Sequence, residues 1–194
     1  MSRLSKEEFQ TMNSLPRRLL QRYYEFPRLK SMDVGLKGKD ILEIGCGSGY
    51  GAMLIMKDEP HSYLGVDVME EQIELACKRA IPGAEFRLED AIQLRTIADA
   101  CIDLIVIFGI LHHIPEWRIA LAECHRVLRS GGEMYLEEPL GELLDWFDRW
   151  SNWDHPKERR FSLNELESNL STKGFRILKR SHRFGFGFYR VQKV

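Results

Sequence analysis

The stretch Asp40-Ile41-Leu42-Glu43-Ile44-Gly45-Cys46-Gly47-Ser48-Gly49-Tyr50-Gly51 decides the fold of this chain. It begins with a short apolar run, which is typical of a buried strand. The glycines that follow allow positive φ angles and let a ligand come close to the backbone. Residues 52–57 then favour a helix, whose first amides are unpaired and face whatever occupies the turn. The stretch therefore predicts a strand, a tight glycine turn and a helix N-terminus.

Such a turn is found in several kinds of cofactor site, including dinucleotide sites. Gly45 and Gly47 fit the dinucleotide pattern G-x-G-x-x-G, but Tyr50 stands in its last position. Glu43 lies near the carboxyl end of the predicted strand, where ligands bind in open α/β sheets. A carboxylate there suits a cationic or hydrogen-bond-donating group better than a phosphate. A glycine turn without any ligand is the simplest alternative.

Composition limits the class of protein. The 194 residues suffice for one domain with a sizeable core, and 44% hydrophobic and 29% charged residues are ordinary for a globular chain. The net charge of −1 gives no positive field that would recruit nucleic acid or a membrane. The sequence has no long apolar span or secretory signal, and its four cysteines are scattered without a C-x-x-C pair. We therefore expect a cytoplasmic protein with free thiols.

Two further predicted strands lead into acidic residues. Residues 62–67 end at Asp67, which follows Gly45 at about the distance expected of a ribose-binding acid, and residues 85–88 precede Asp90. A carboxylate can accept both ribose hydroxyls, and Asp90 is placed to accept from an adenine amine. Each acid could instead cap the helix that follows it. Since parallel strands present their carboxyl ends at one edge, we expect Glu43, Asp67 and Asp90 to converge.

The rest of the chain alternates between strands and helices. Residues 101–108 are the most apolar segment and predict a central strand, and residues 116–128 predict a helix that ends at Gly131-Gly132. A fifth strand follows at residues 133–137, and the chain ends with a helix and a hairpin of two strands that turns near Phe184-Gly185. The alternation predicts a doubly wound parallel α/β sheet.

With these elements in place, residues 40–139 resemble the class I S-adenosylmethionine (SAM)-dependent methyltransferases, and in particular the type 11 small-molecule enzymes similar to the quinone-biosynthesis methyltransferases. The resemblance is carried by LEIGCGSG (42–49), GVD (65–67), Asp90-Ala91, ILHHIP (110–115) and RVLRSGGEMYL (126–136). It implies a Rossmann-like, seven-stranded, mostly parallel sheet in a single domain, with an antiparallel last strand. It also implies SAM as the cofactor and a small molecule as the methyl acceptor.

The resemblance implies roles for individual residues. The glycine turn and Glu43 border the methionine part of SAM, Asp67 holds the ribose hydroxyls, and Asp90 holds the adenine amine. Tyr24, from the segment before the resemblance, is a further candidate contact. The complete set of expected cofactor contacts is Tyr24, Glu43, Gly45, Cys46, Gly47, Gly49, Asp67, Val68, Asp90, Ala91, Ile107, Phe108 and His112.

The candidate catalytic residues are His112, His113 and Glu138. A neutral imidazole can accept a proton near physiological pH, so one of the two histidines is a candidate general base, and the alternative role is in the wall of the cofactor site. Adjacent histidines make a poor metal pair, and we expect no metal. Glu137 and Glu138 follow each other at the end of the fifth strand, where they could act as a base, orient the acceptor or cap the next turn.

Two regions lie outside the resemblance. Residues 1–34 predict a helical lead-in with a capping box at Ser5 to Glu8. The stripe of Leu15, Leu19, Leu20, Tyr23 and Tyr24 predicts packing on the core, and a lid over the cofactor is the alternative. Within the methyltransferase domain predicted at 35–194, residues 140–160 contain three of the four tryptophans. They predict an acceptor lid, with an inward-packed helix or a dimer surface as alternatives.

Other functions stay open at this stage. A nicotinamide-dependent oxidoreductase is disfavoured by Tyr50 and by Leu111-His112-His113. A nucleic-acid or protein methyltransferase is disfavoured because no N-P-P-Y or D-P-P-Y follows the fourth strand. A non-catalytic SAM-binding partner subunit and a scaffold with a vestigial pocket are both compatible with the sequence. The expected partners are a small-molecule acceptor and, at most, a second copy of the chain, without nucleic acid or membrane.

Overall fold

The computed structural model describes residues 5–139, 141, 143 and 161–194. A single sheet of seven strands lies at its centre. The strands are β1 (Asp40–Ile44), β2 (Ser62–Asp67), β3 (Ala84–Leu88), β4 (Ile102–Phe108), β5 (Leu128–Pro139), β6 (Phe175–Arg183) and β7 (Phe186–Lys193). Their order in the sheet is β3-β2-β1-β4-β5-β7-β6.

Helices cover the sheet and precede it. They are α1 (Lys6–Met12), α2 (Leu15–Leu20), α3 (Phe26–Ser31), α4 (Tyr50–Ile55), α5 (Glu70–Lys78), α6 (Trp117–Val127) and α7 (Leu163–Thr172). A π-helical turn (Gln21–Glu25) joins α2 to α3, and short 3-10 turns lie at Met56–Asp58 and Leu111–His113. Within the described part of the chain, no helix is long and apolar enough to span a membrane.

The pairing of the strands confirms the predicted fold class. β1 pairs in parallel with β2 and β4, β3 pairs in parallel with β2, and β5 pairs in parallel with β4. β7 is antiparallel to both of its neighbours, β5 and β6. The carboxyl ends of β1, β2, β4 and β5 therefore meet at one edge of the sheet, which is where ligands bind in open α/β folds.

The core lies on both faces of the sheet, which explains why the central strands β1 and β4 are largely apolar. In β4, Ile105 and Ile107 belong to a cluster with α6 and α7, whereas Leu104 and Val106 belong to a cluster with α3 and α4. This two-residue alternation follows from the pleat of a strand.

The start of β5 differs from the prediction. We expected residues 129–132 to form a helix-ending turn before a strand at 133, but β5 begins at Leu128, which pairs with Ile102 before a shift in register. Gly131 has φ +75° within this irregular part of the strand. The glycines therefore accommodate a bulge in the strand rather than only the end of α6.

The N-terminal segment also corrects one expectation. The capping box forms as predicted, since the Ser5 hydroxyl and the Glu8 carboxylate accept from each other's backbone N–H. Most of the apolar stripe, however, does not pack on the core: Leu15 is 66% exposed and Tyr23 is 69% exposed, whereas Tyr24 packs against it as predicted. The buried side chains of this stretch include the polar Gln21 and Glu25. The apolar spacing was misleading because this helical segment turns a polar face inward, toward the cavities described below.

The predicted insertion at 140–160 lies outside the described residues, apart from residues 141 and 143.

Candidate functional site

The glycine turn connects β1 to α4. Gly45 and Gly47 have φ angles of +72° and +51°, and the N–H groups of Gly45 and Cys46 donate to Val66 O at 2.8 and 3.0 Å. A Cβ at Gly45 would collide with the side chain of Ile110, whereas a Cβ at Gly47 would meet nothing within 4 Å. The turn is thus anchored to β2, and Gly47 faces open space into which a ligand can approach.

This open space is a cavity of about 90 Å³, here called the first cavity. Its walls come from the glycine turn, from the ends of β2 and β4 with the residues that follow them, and from the N-terminal helices. The described residues that line it are Met12, Arg17, Arg18, Gln21, Glu43, Gly45, Cys46, Gly47, Ser48, Tyr50, Asp67, Gln72, Phe108, Gly109, Ile110 and His113.

Glu43 is the most deeply buried acid of the first cavity, with 2% of its surface exposed. Burial raises the pKa of its carboxyl from about 4.5 to about 8, although the Tyr63 hydroxyl donates to it and partly opposes this rise. The carboxylate fills the space in which a side chain of Gly51 would lie. A cationic ligand in the cavity would favour the ionised form of Glu43.

Asp67 connects the glycine turn to the start of α5. One carboxylate oxygen accepts from Gly47 N at 3.0 Å and the other accepts from Met69 N at 2.9 Å. Burial raises the pKa of Asp67, and these backbone hydrogen bonds oppose the rise. The capping role and the ligand role are therefore compatible, because each carboxylate oxygen has a second lone pair and Asp67 also lines the cavity.

Among the polar residues of the first cavity that the sequence reasoning missed, Gln72 and Arg18 have buried atoms without a partner in the described part of the chain. Gln72 is 3% exposed, and its Oε1 atom has no hydrogen-bond donor among the described residues. The buried Nε atom of Arg18 likewise has no acceptor in the part of the chain that is described. A polar residue on the inner face of the helix after Asp67 was the available signal for Gln72, because buried polar atoms require partners.

Several predicted cofactor contacts lie elsewhere. Among the three acids at strand ends, the first cavity brings together Glu43 and Asp67, but Asp90 is not among its described lining residues. The Asp90 side chain accepts from Ile92 N at 3.2 Å, within the turn that begins after β3. Ala91 belongs to the hydrophobic core.

Four further predicted cofactor contacts are not among the described residues that line the first cavity. Ile107 is buried in the core, and Val68 is half-buried. Gly49, with φ +76°, packs where a Cβ would approach Phe86 and Ala76. Tyr24 lies against the rings of Phe184, Phe186 and Phe188 of the β6–β7 hairpin rather than over the glycine turn.

His112 and Glu138 form a buried pair. His112 Nδ1 lies 2.8 Å from Glu138 Oε2, and the other oxygen of Glu138 accepts from the backbone N–H groups of Ile110 at 2.9 Å and Leu111 at 2.7 Å. Burial raises the pKa of Glu138 to about 8, against the backbone donors that favour its ionised form. When Glu138 is ionised, it accepts a hydrogen bond from the Nδ1–H group of His112, and the lone pair of the neutral ring then lies on Nε2. The ring of His113 stacks beside it, with 4.0 Å between the centroids.

A second cavity of about 270 Å³ adjoins the first. Met12, Arg17, Gly109 and His113 line both cavities, and His112 lines only the second. Its surface is mainly apolar. The described residues that line it are Thr11, Met12, Ser14, Pro16, Arg17, Leu20, Glu25, Gly109, His112, His113, Glu137, Pro139 and Phe186.

The arrangement can therefore hold two ligands side by side. The first cavity offers a glycine turn and buried carboxylates to a polar, partly cationic molecule. The second offers apolar walls and a histidine that is oriented by a carboxylate. Groups on the shared wall can touch both ligands.

Comparisons with known proteins agree with this geometry. Residues 42–136 match the family of methyltransferase domains known as Methyltransf_11. A candidate SAM-dependent methyltransferase of Mycolicibacterium smegmatis is 35% identical over 141 residues, which are 72% of this chain and 53% of that protein. The phthiotriol/phenolphthiotriol dimycocerosates methyltransferase of Mycobacterium tuberculosis is 37% identical over 117 residues, which are 58% of this chain and 43% of that enzyme.

A solved structure extends the likeness to the whole fold. The crystal structure of a SAM-dependent methyltransferase from Aquifex aeolicus matches with a TM-score of 0.79 at 17% identity, covering 99% of this chain and all of the other. The chain spans about half the length of the curated relatives it matches. These findings confirm the family predicted from the sequence. Residues 42–136 therefore form a methyltransferase domain of the class I SAM-dependent type.

Proposed function

We propose that this chain transfers the methyl group of SAM to a small-molecule acceptor. The observation that carries the proposal is the pair of adjoining cavities with a shared wall. One is built from the glycine turn, Glu43 and Asp67, and the other is larger and mainly apolar. A transfer between two bound molecules needs this proximity.

The first cavity fits the cofactor that this family uses. SAM carries a sulfonium and an ammonium group, which suit the buried carboxylate of Glu43, and a ribose diol, which suits Asp67. Its hydroxyl and amine groups can donate to the orphaned Oε1 of Gln72, and its carboxylate can accept from Arg18. We retain Gly45, Cys46, Gly47 and Phe108 as proposed contacts on the side of the turn and the methyl group, and the contact of His112 with the cofactor remains a prediction, because His112 lines the second cavity.

The contacts proposed for Tyr24, Gly49, Val68, Asp90, Ala91 and Ile107 remain predictions. Their side chains, or the backbone of Gly49, lie beyond the described lining of the first cavity. The N-terminal segment supplies Met12, Arg17, Arg18 and Gln21 to that lining, which supports its role as a lid.

In the proposed mechanism, the bound cofactor supplies an already activated methyl group. The residues of this chain hold the acceptor in line with it, exclude water with the N-terminal helices, and remove a proton where the acceptor needs it. We assign the proton transfer to His112, because Glu138 orients its ring and the ring lines the second cavity. His113 lies on the shared wall, where it can position either ligand.

The proposal of a small-molecule acceptor is supported by the apolar second cavity and by the Mycobacterium tuberculosis relative, which is named for methylating phthiotriols. A cytoplasmic location is supported by the four cysteines, Cys46, Cys77, Cys101 and Cys124, all of which are free. We further propose that the protein acts as a monomer or a homodimer.

Titration calorimetry with SAM and, separately, with NAD tests the proposed function. We expect heat with SAM, no heat with NAD, and a loss of SAM binding in Asp67→Ala. Binding of NAD without SAM would instead support an oxidoreductase. Incubation with labelled SAM and a metabolite extract then separates an enzyme, which transfers the label, from a subunit that only binds SAM.

A further inference from the structure

The second cavity contains an electrostatic mismatch. Glu25 and Glu137 both line it, and they are only 3% and 1% exposed. Carboxylates buried this deeply normally have a cation or several hydrogen-bond donors as partners. Glu25 and Glu137 differ in the partners that the described residues provide.

Glu25 has a cation. Arg17 Nη1 donates to Glu25 Oε2 at 2.8 Å, and the side chain of Arg17 is itself only 20% exposed. This ion pair joins α2 to the π-helical turn and forms part of the wall of the cavity. The guanidinium is thereby committed to Glu25.

Glu137 has a weaker partner. The Tyr135 hydroxyl donates to its Oε2 at 3.2 Å, and this is the hydrogen bond that the described residues provide to the carboxylate. Burial raises the pKa of Glu137, the nearby charge of Glu25 raises it further, and Arg17 lowers it. Glu137 is therefore a buried acceptor whose hydrogen-bonding capacity is partly unused on the side of the cavity.

The rest of the cavity sets the shape of what can satisfy it. Pro16, Leu20, Pro139 and Phe186 supply apolar walls around a space of about 270 Å³. A ligand with an apolar body and one donor group would pair with Glu137 and bury its body against these walls. A ligand with a carboxylate would place a third acidic group beside Glu25 and Glu137, and the guanidinium of Arg17 is already paired with Glu25.

We propose that Glu137 receives the N–H or O–H group of an otherwise apolar acceptor, so that the second cavity selects amines and alcohols over carboxylates. The proposal rests on the proposed function only in taking this cavity as the acceptor site. It assigns Glu137 to recognition of the acceptor, whereas His112 on the neighbouring wall accepts the proton of the acceptor.

Four probes that share a phenyl body test the proposal: 2-phenylethylamine, 2-phenylethanol, 3-phenylpropionate and ethylbenzene. Their affinities are measured by ligand-observed NMR, with and without S-adenosylhomocysteine. We expect the amine and the alcohol to bind at least about tenfold more tightly than 3-phenylpropionate, since an ammonium group favours the ionised form of Glu137 and a hydroxyl can donate to its unused acceptor site, whereas a carboxylate does neither. Ethylbenzene should bind more weakly than the amine and the alcohol.

Two variants localise the effect. Glu137→Gln keeps the shape of the side chain but removes its charge, and it should reduce the preference for the amine over 3-phenylpropionate to less than about threefold. The matched variant Tyr135→Phe keeps the carboxylate and should retain the preference. Circular dichroism verifies the fold of both variants, and the ranking of the probes on the unmodified chain decides the matter if Glu137→Gln does not fold.

The outcomes are distinct from those of the proposed function. Equal binding of all four probes, tightest binding of 3-phenylpropionate, binding of none of them, or an unchanged preference in folded Glu137→Gln would each overturn the proposal. A chain that ranks the probes as expected but does not bind SAM would contradict the proposed function and leave the assignment of Glu137 standing.

Discussion

The two cavities differ in how their walls are distributed along the chain. The first is centred on residues 43–50 and 67–72, which lie at the ends of two adjacent strands and in the turns that follow them. The second combines residues 11–25 with residues from the ends of β4 and β5 and from β7. The sheet edge therefore supplies most of the first cavity, to which the N-terminal segment adds Met12, Arg17, Arg18 and Gln21, whereas the N-terminal segment supplies about half of the lining of the second.

The difference has a functional meaning. A site at the sheet edge can hold the same cofactor in many proteins, because the strand ends and the glycine turn are part of the fold. A site completed by an added segment changes with that segment, so the acceptor can change without disturbing the cofactor site. The following predictions test this division between a cofactor side and an acceptor side.

The largest effect is expected on the acceptor side, at His112. Replacing it in His112→Asn removes the proposed base, and we expect kcat to fall about a hundredfold, within the usual contribution of a positioned general base. The affinity for SAM should change little. The measurement is kcat as a function of pH with the acceptor identified by labelled SAM, and the rise of kcat with pH in the unmodified enzyme should disappear in the variant.

His125→Asn is the matched control, because His125 is a half-buried histidine on α6 whose ring packs against Phe175. It should leave kcat unchanged. If His112→Asn retains full kcat and the same pH profile, the ring belongs to the wall of the site and the acceptor needs no base.

The contrast between the cavities also explains what the sequence could predict. The glycine turn, Glu43 and Asp67 lie in local patterns of strand, turn and helix, and the seven strands follow from the same alternation. Gln72 could be placed on a helix but not shown to lack a partner, since that depends on packing.

The acceptor side was much less accessible to sequence reasoning. The ion pair of Arg17 with Glu25 forms across a π-helical turn that no periodicity predicts. The Glu137 carboxylate meets the N-terminal helices only in the folded chain, at a sequence separation of more than a hundred residues. The pair of His112 and Glu138 likewise joins the ends of two adjacent strands, so its residues were named but its geometry was not.

The next effect concerns the charge of the cofactor side. The pKa of Glu43 is about 8 in the folded chain against an ordinary 4.5, so between these values the folded state binds more protons than the unfolded state. Stability must therefore fall as pH rises from 4.5 toward 8 and level off above it. Glu43→Gln should remove the contribution of Glu43 to this pH dependence. The free energy of unfolding of the variant, relative to that of the unmodified chain, should therefore increase by about 2 kcal/mol from pH 5.5 to pH 7.5.

Urea unfolding of both proteins at pH 5.5, 6.5 and 7.5 provides the measurement. Glu74→Gln is the control, because Glu74 is exposed on α5 and pairs with Lys78 at 3.3 Å. The free energy of unfolding of this variant should depend on pH in the same way as that of the unmodified chain. If Glu43→Gln also shows the same pH dependence as the unmodified chain, Glu43 is already ionised in the free protein, before any ligand binds.

A matched pair of glycines separates ligand space from backbone strain. Gly47 and Gly38 both have positive φ, +51° and +69°, and an added Cβ meets nothing within 4 Å at either position. Gly47→Ala and Gly38→Ala should each cost about 1 kcal/mol of stability. Only Gly47→Ala should weaken SAM binding, by about tenfold, because its methyl group would enter the first cavity.

Calorimetry with SAM and thermal unfolding of both variants give the two quantities. Equal SAM affinity in the two variants would show that the ligand does not approach Gly47. The turn would then be a structural feature, and the first cavity could not be assigned to the cofactor.

The smallest effect is expected at Gln72, where the side chain is buried and its Oε1 has no donor among the described residues. Gln72→Met keeps the length of the side chain and removes the orphaned acceptor, so the free protein should become slightly more stable. The affinity for SAM should fall about fivefold, because one hydrogen bond to the cofactor is lost. Gain of stability together with loss of affinity is the signature of a buried polar atom that is kept for a ligand. If the variant is destabilised and binds SAM as before, Gln72 serves the packing of α5, and the cofactor side of the molecule is narrower than proposed.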